Sequence, residues 1–183
     1  ELALLKNAEL VEKNDIFARD MFLLSFYGRG INFIDLIQLK KTDLYKETIT
    51  YKRSKTGVIV NFKINYFWKR KIEEYASSAD SFYLFNIIHN NQNSETYINN
   101  KKEKYLKIYI NTPLKKIITS LGIKKKITYY CARHSFATIL KFNNISLDII
   151  KEALGHKDIK STMSYLNTLP SNTLNKMIDD VIF

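Results

Sequence analysis

Hydrophobic positions recur at helical spacing through most of this chain and alternate in only one short stretch. In DIFARDMFLLSFY, residues 15–27, Phe17, Met21 and Leu24 recur with Phe22 and Phe26. That pattern predicts a buried helix opened by Asp15 as N-cap and closed by Gly28. A second short helix, NFIDLIQL, is expected to start at Asn32, with Asp35 three residues on completing a capping box. Arg29 then falls in a tight Gly-Arg-Gly connection between the two helices. Residues 47–52 and 58–64 alternate or carry β-branched side chains and predict a hairpin. Its link, RSKTG, has Gly57 as the turn residue and Lys55 at or beside the tip. Residues 65–76 return to helix, and SFYLFNII is an apolar segment that suits a strand or a helix start. The polar residues 89–104 predict an exposed loop leading into a helix that runs to about Leu121 and ends at Gly122. From Thr128 the period is helical again, with Ala132, Phe136, Ile139 and Leu140 on one side. Ser146 caps LDIIKEAL, which Gly155 stops. A short helix holding Met163, Tyr165 and Leu166 ends at Pro170, and an amphipathic helix, SNTLNKMIDDVIF, finishes the chain. The fold class this predicts is mainly α with one small β-hairpin or sheet.

Length and composition narrow the class. A chain of 183 residues with 45% hydrophobic content is globular and long enough for one domain with a proper core, or for a tight pair of small ones. No apolar run approaches the roughly 20 residues needed to span a bilayer, and no signal peptide is evident, so no membrane-spanning role is expected. The chain opens with Glu1 and an amphipathic stretch where a natural start would show Met, which suggests a piece of a longer protein. Cys131 is the only cysteine, so no intramolecular disulfide or Cys-cluster zinc site is available. This fits a reducing, cytoplasmic compartment, with Cys131 read as a small core residue. The net charge of +11 points to a polyanion as partner, nucleic acid first and a membrane surface second. Only five of the 29 basic residues are Arg, so the excess also fits a Lys-rich composition with no functional meaning.

Taken singly, the candidate residues are ambiguous. Arg133 sits at the border of an apolar face and needs an anion there, because an unpaired buried charge costs several kcal/mol. A structural salt bridge with Asp or Glu meets that need as well as a bound phosphate does. His156 follows the helix-stopping Gly155 and projects from a tight turn, where an imidazole can donate to phosphate or merely cap the helix. Tyr165, one of twelve tyrosines, shares its helix with Met163 and Leu166 and has the surroundings of a core residue. His134 and His89 are less pointed.

Order and spacing change that picture. ARHSFAT followed by LGHKDIKSTMSYLNT resembles the signature of the tyrosine recombinase (phage integrase) family, in which an Arg-His-(Ser/Thr)-Phe-Ala-Thr helix precedes Leu-Gly-His and then a nucleophilic Tyr nine residues past that His. Arg133, Leu154-Gly155-His156 and Tyr165 fall on those places. FYGRGINFIDLIQLK resembles the family's first-arginine box, in a longer integrase variant, and gives that role to Arg29. YKRSKTG resembles the hairpin carrying the catalytic lysine, which gives that role to Lys55, with Lys52 and Arg53 close by. Where the family commonly has His, three residues before the second Arg, this chain has Tyr130. Tyrosine can donate to a phosphate oxygen but is a poor general base, its pKa being about 10. Tyr130 is thus a phosphate-contacting candidate, with His134 or water taking the proton.

The resemblance implies the DNA breaking-rejoining fold, with residues 1–14 as an N-terminal linker helix, 15–168 as catalytic core and 169–183 as a C-terminal helix suited to docking on a neighbouring protomer or on its own core. It implies transesterification of double-stranded DNA. The Tyr165 hydroxyl is the nucleophile. Arg29, Arg133 and His156 hold the non-bridging oxygens, and Lys55 protonates the leaving 5′-oxygen. No metal or other cofactor is called for. A dimer or tetramer assembled on DNA and an upstream DNA-grasping domain complete the expectation. A type IB topoisomerase-like nicking-closing enzyme shares the chemistry, and a DNA-binding relative that has lost catalysis is a further reading, motivated by Tyr130.

Overall fold

Helix α2 (Lys13–Tyr27) is buried on nearly every side, and the rest of the chain is arranged around it. Ala18, Asp20, Met21, Phe22, Leu23, Leu24 and Ser25 are all buried, so the apolar residues form no single stripe. A helix enclosed in this way has no reason to be amphipathic. The computed structural model describes residues 1–90 and 94–163. Within them α1 (Leu2–Lys6), α4 (Tyr66–Tyr75), α6 (Thr112–Ser120) and α7 (Cys131–Phe142) pack on α2. The one buried acid deep in α2, Asp20, takes an ion pair from Lys71 at 2.6 Å, another from Arg19 at 2.9 Å and the Tyr75 hydroxyl at 2.8 Å. Such pairing is what lets a carboxylate sit in a core.

Two helix starts differ from the sequence expectation. The N-cap position of α2 is Glu12, not Asp15. Asp15 lies inside the first turn, where the helix dipole favours a carboxylate, and pairs with Lys116 at 2.9 Å. Asn32 does precede α3 (Phe33–Ile37), but no capping box forms there. The Asp35 carboxylate accepts instead from the Ser54 backbone N–H at 2.8 Å, tying α3 to the hairpin.

The hairpin is as the alternation predicts. β2 (Thr48–Lys52) pairs antiparallel with β3 (Ile59–Lys63), Thr50 opposite Asn61, and a short β1 (Leu44–Tyr45) adds an edge that two residues could not announce. The buried side carries Ile49, Tyr51, Val60 and Phe62. Residues 81–88 form neither strand nor helix start: Tyr83 and Phe85 make isolated bridges to Lys40 and Ala76, while Tyr83, Leu84, Phe85, Ile87 and Ile88 are buried. These residues serve as apolar filler, held by packing and not by a ladder.

The later helices follow the pattern closely. Ser94 caps α5 (Glu95–Lys104), which continues through a π-helical stretch (Tyr105–Asn111) into α6. On α7, Ala132, Arg133 and Ala137 are buried, whereas Ile139 is exposed, so the buried face is rotated from the expected one. Ser146 accepts from the Ile149 N–H at the start of α8 (Leu147–Leu154), and α9 (Ile159–Met163) follows a turn at Gly155. The expected helix ends beyond Met163, including Tyr165 and residues 169–183, lie outside the described residues. Leu24 is wholly buried at the centre of α2. Leu24→Ala should lower unfolding free energy by about 2–5 kcal/mol in a urea titration, with an unchanged denaturant slope.

Candidate active site

The site begins with a buried cation. Arg133 is 1% exposed, and its guanidinium joins three segments distant in sequence. Nη1 donates to the Gly30 carbonyl at 2.8 Å, and Nη2 to the Leu154 carbonyl at 2.5 Å and to His156 Nε2 at 2.9 Å. Guanidinium can only donate, so Nε2 is an acceptor and the imidazole proton of a neutral ring sits on Nδ1. Nδ1 then donates to Thr162 Oγ1 at 2.9 Å. Burial, followed by the charges of Arg133 and Arg53, pushes the His156 pKa down to about 4. Burial, reinforced by Arg53, also lowers Arg133 to about 10, which leaves it charged at neutral pH.

Backbone geometry makes this approach possible. Arg29 and Gly30 both have left-handed φ, 57° and 70°. A Cβ on Gly30 would stand 2.9 Å from the Arg133 Cα, so only glycine admits α7 this close. Arg29 is half-buried beside that contact. Its charge reaches the Tyr51 hydroxyl together with those of Arg133 and Arg53, yet burial and the nearby Asp35 outweigh the three and hold Tyr51 well above the usual phenol range. Gly155, at φ 63°, provides the second close approach: a Cβ there would lie 2.6 Å from Val60 Cγ2.

An open cleft of about 340 Å³ lies over this arrangement, lined by Arg53, Lys55, Thr56, Tyr130, His134, His156 and Ser161. Of the residues singled out from sequence, Lys55, Tyr130 and His156 therefore share one cavity, with Arg133 bonded behind it and Arg29 at the turn on which Arg133 rests. Lys55 is exposed at the hairpin tip, and Tyr130 is 45% exposed with its ring edge-on to His134. Burial and the charge of Arg133 lower the His134 pKa. His89 is exposed and lines no part of the cleft. Among the described residues no cluster of three His, Cys, Asp or Glu side chains could hold a metal.

Sequence reasoning passed over Arg53, which is 4% exposed. Its Nη1 donates to the Gly155 carbonyl at 2.9 Å, and among the described residues its Nε has no hydrogen-bond partner. Ile49, Tyr51 and Arg53 share the period-2 phase of the buried face, so an arginine in that phase was the available signal. Thr162, the partner of His156, had none, because its place depends on the Gly155 turn.

Over residues 2–171 the sequence matches the phage integrase family. The chain belongs to that family. Among its curated integrase-family relatives, tyrosine recombinase XerD of Oceanobacillus iheyensis is 31% identical over 144 residues, covering 76% of this chain and 46% of the relative. Tyrosine recombinase XerA of Thermococcus onnurineus is 29% identical over 149 residues, covering 80% and 49%. The chain thus spans about half the length of these relatives. Among solved structures, the crystal structure of XerA recombinase superposes with a TM-score of 0.60 at 17% identity, covering 96% of this chain and 66% of that one. The Tn1549 transposon integrase in complex with transposon right end DNA gives 0.61 at 14% identity, covering 100% and 63%. The fold of this integrase-family chain is that of the tyrosine recombinase catalytic domain, mainly α with a small antiparallel sheet.

The depressed His156 pKa has a definite sign in stability. Between pH 6.5 and 4 the unfolded chain takes up a proton that the folded chain refuses, so stability is full above about pH 6.5 and falls as pH drops toward 4. The full shift corresponds to about 3 kcal/mol, and with solvent screening at the open cleft the loss attributable to His156 should be about 1–2 kcal/mol. His134 adds to it in the same direction. His156→Gln should flatten, without abolishing, this part of the slope in denaturation midpoints measured from pH 7 to 4.

Proposed function

We propose that this chain is the catalytic domain of a site-specific DNA recombinase of a mobile element, cutting and rejoining double-stranded DNA through a 3′-phosphotyrosine at Tyr165. The observation that carries the reading is the cleft in which Lys55, Tyr130 and His156 converge in front of the buried Arg133. A site with this much positive charge favours an anion. A scissile phosphate is the anion that family membership makes relevant. The mobile-element part rests on the likeness of GRGINFIDL to an integrase variant of the arginine box.

In this reading the Tyr165 oxygen attacks phosphorus in line, the Oη–P bond forms and the P–O5′ bond breaks. The tyrosine proton passes to water or to His134. Lys55 gives its proton to the departing 5′-oxygen, which a hairpin tip exposed to the cleft is able to do. Arg29 and Arg133 stabilise the charge that develops on the non-bridging oxygens, with His156 and the Tyr130 hydroxyl as further donors. Two carbonyls and an imidazole take three of the five Arg133 N–H donors, and opening of its bond to His156 Nε2 turns a further donor toward a phosphate. An Nε2 released from Arg133 beside a phosphate gains a proton more readily, and then becomes a donor. Rejoining reverses these steps without ATP, because the covalent intermediate conserves the bond energy. Several copies assembled on DNA, and segments of the whole protein beyond this chain, belong to the same proposal.

Nicked half-site DNA from the ends of the element tests it in the full-length protein. A covalent adduct stable to denaturing electrophoresis is expected with the natural sequence and absent from Tyr165→Phe; an adduct that survives that substitution sinks the assignment. Arg133→Ala should slow cleavage on the order of 100-fold or more while DNA affinity falls modestly. Equal loss of both would make Arg133 structural. Strand exchange between two duplexes, as opposed to nicking and closing of one, separates a recombinase from a topoisomerase-like enzyme.

A further inference from the structure

One carbonyl sits between the two halves of the cleft. The Gly155 oxygen accepts from Arg53 Nη1 at 2.9 Å and from Thr56 Oγ1 at 3.0 Å. Both donors belong to the hairpin tip, one on each side of Lys55, and the acceptor immediately precedes His156. The contact is tight as well as polar: Arg53 Cδ and Val60 Cγ2 leave no room for a side chain at position 155. Within the tip, Arg53 and Gly57 close a turn, the Gly57 N–H donating to the Arg53 carbonyl at 2.8 Å. On the other side, the His156 N–H donates to the Lys151 carbonyl at 3.0 Å, so the turn is continuous with α8. The hairpin therefore has a fixed attachment at its exposed end, where an unpaired tip would fray.

We infer that Arg53 and Thr56 act as positioning residues, joining the hairpin to the Gly155 carbonyl so that Lys55 and His156 are set in place as one unit. The inference rests on the roles given to Lys55 and His156 above. Its physical logic is that a proton donor and a phosphate donor must act on one phosphorus, and a misplacement of about 1 Å can cost on the order of 100-fold. Two hydrogen bonds on one acceptor make the joint stiff, and loss of either leaves the other to pivot. Arg53 is buried and its replacement endangers the fold, whereas Thr56 is half-buried and valine has nearly its shape.

Thr56→Val tests the joint in two ways. By hydrogen exchange, without DNA, the amides of Gly57 and of Gly155–His156 should exchange several-fold faster together, with far-UV circular dichroism unchanged. Thr56→Ser, which keeps the hydroxyl, should leave them protected. Acceleration confined to the hairpin, or none, overturns the inference. In cleavage of half-site DNA, Thr56→Val should be slowed about tenfold. A substrate with a 5′-bridging sulfur leaves without needing a proton and should recover most of that loss. Equal slowing on both substrates overturns the link to Lys55. A natural sequence that never forms the tyrosine adduct defeats the proposed function, and hydrogen exchange still decides the joint.

Discussion

The interaction on which the rest depends is the burial of the Arg133 guanidinium against the Gly30 and Leu154 carbonyls and His156. A charge in that position is costly unless it is well solvated by dipoles, and the fold supplies Nη1 and Nη2 with two backbone carbonyls and the His156 ring. The chain leaves α2 through two left-handed residues so that Gly30 can face α7, and it leaves α8 through a third so that Leu154 and His156 can. The three left-handed residues, in two turns, thus serve one cation. Because the partners come from the ends of α2 and α8, the site is complete only when both ends have docked on α7.

A second consequence is electrostatic. Arg53 lies close enough to Arg133 to disfavour its charge, and both act against protonation of His156. Tyr129, wholly buried with its hydroxyl donating to the Ile31 carbonyl at 3.0 Å, stays protonated far above neutrality for want of solvent. The site is thus a concentration of positive charge held by dipoles, with its histidine neutral. Under the proposed function, an anion in the cleft relieves repulsion that folding alone has to tolerate, and the fold bears the electrostatic work in advance.

Much of this was legible from residues alone, for identifiable reasons. The hairpin showed itself because Ile49, Tyr51, Val60 and Phe62 bury one face of a two-sided ladder, and period 2 survives that. The start of α8 was readable because Ser146 and Gly155 do local work at its ends. Asp15 and Asp35 misled because both have tertiary partners, Lys116 and the Ser54 amide, which capping rules do not see. Residues 81–88 were apolar for packing, and composition does not distinguish filler from a strand. Arg133, His156 and Lys55 were ambiguous one by one and became specific only through order and spacing. Tyr165 rests on that spacing alone. Arg53 carried a phase signal that its basic neighbours obscured, and Thr162 carried none.

The left-handed backbone at Arg29 sets two selective demands against each other. A non-glycine residue there carries roughly 1 kcal/mol of steric penalty. Glycine would remove it, and with it the only guanidinium on that turn. A directed-evolution campaign rewarding heat resistance alone would therefore be drawn to this position and would erase a charge that the proposed chemistry uses. Libraries selected for ruggedness need a simultaneous screen for the proposed DNA joining if arginine is to survive at position 29.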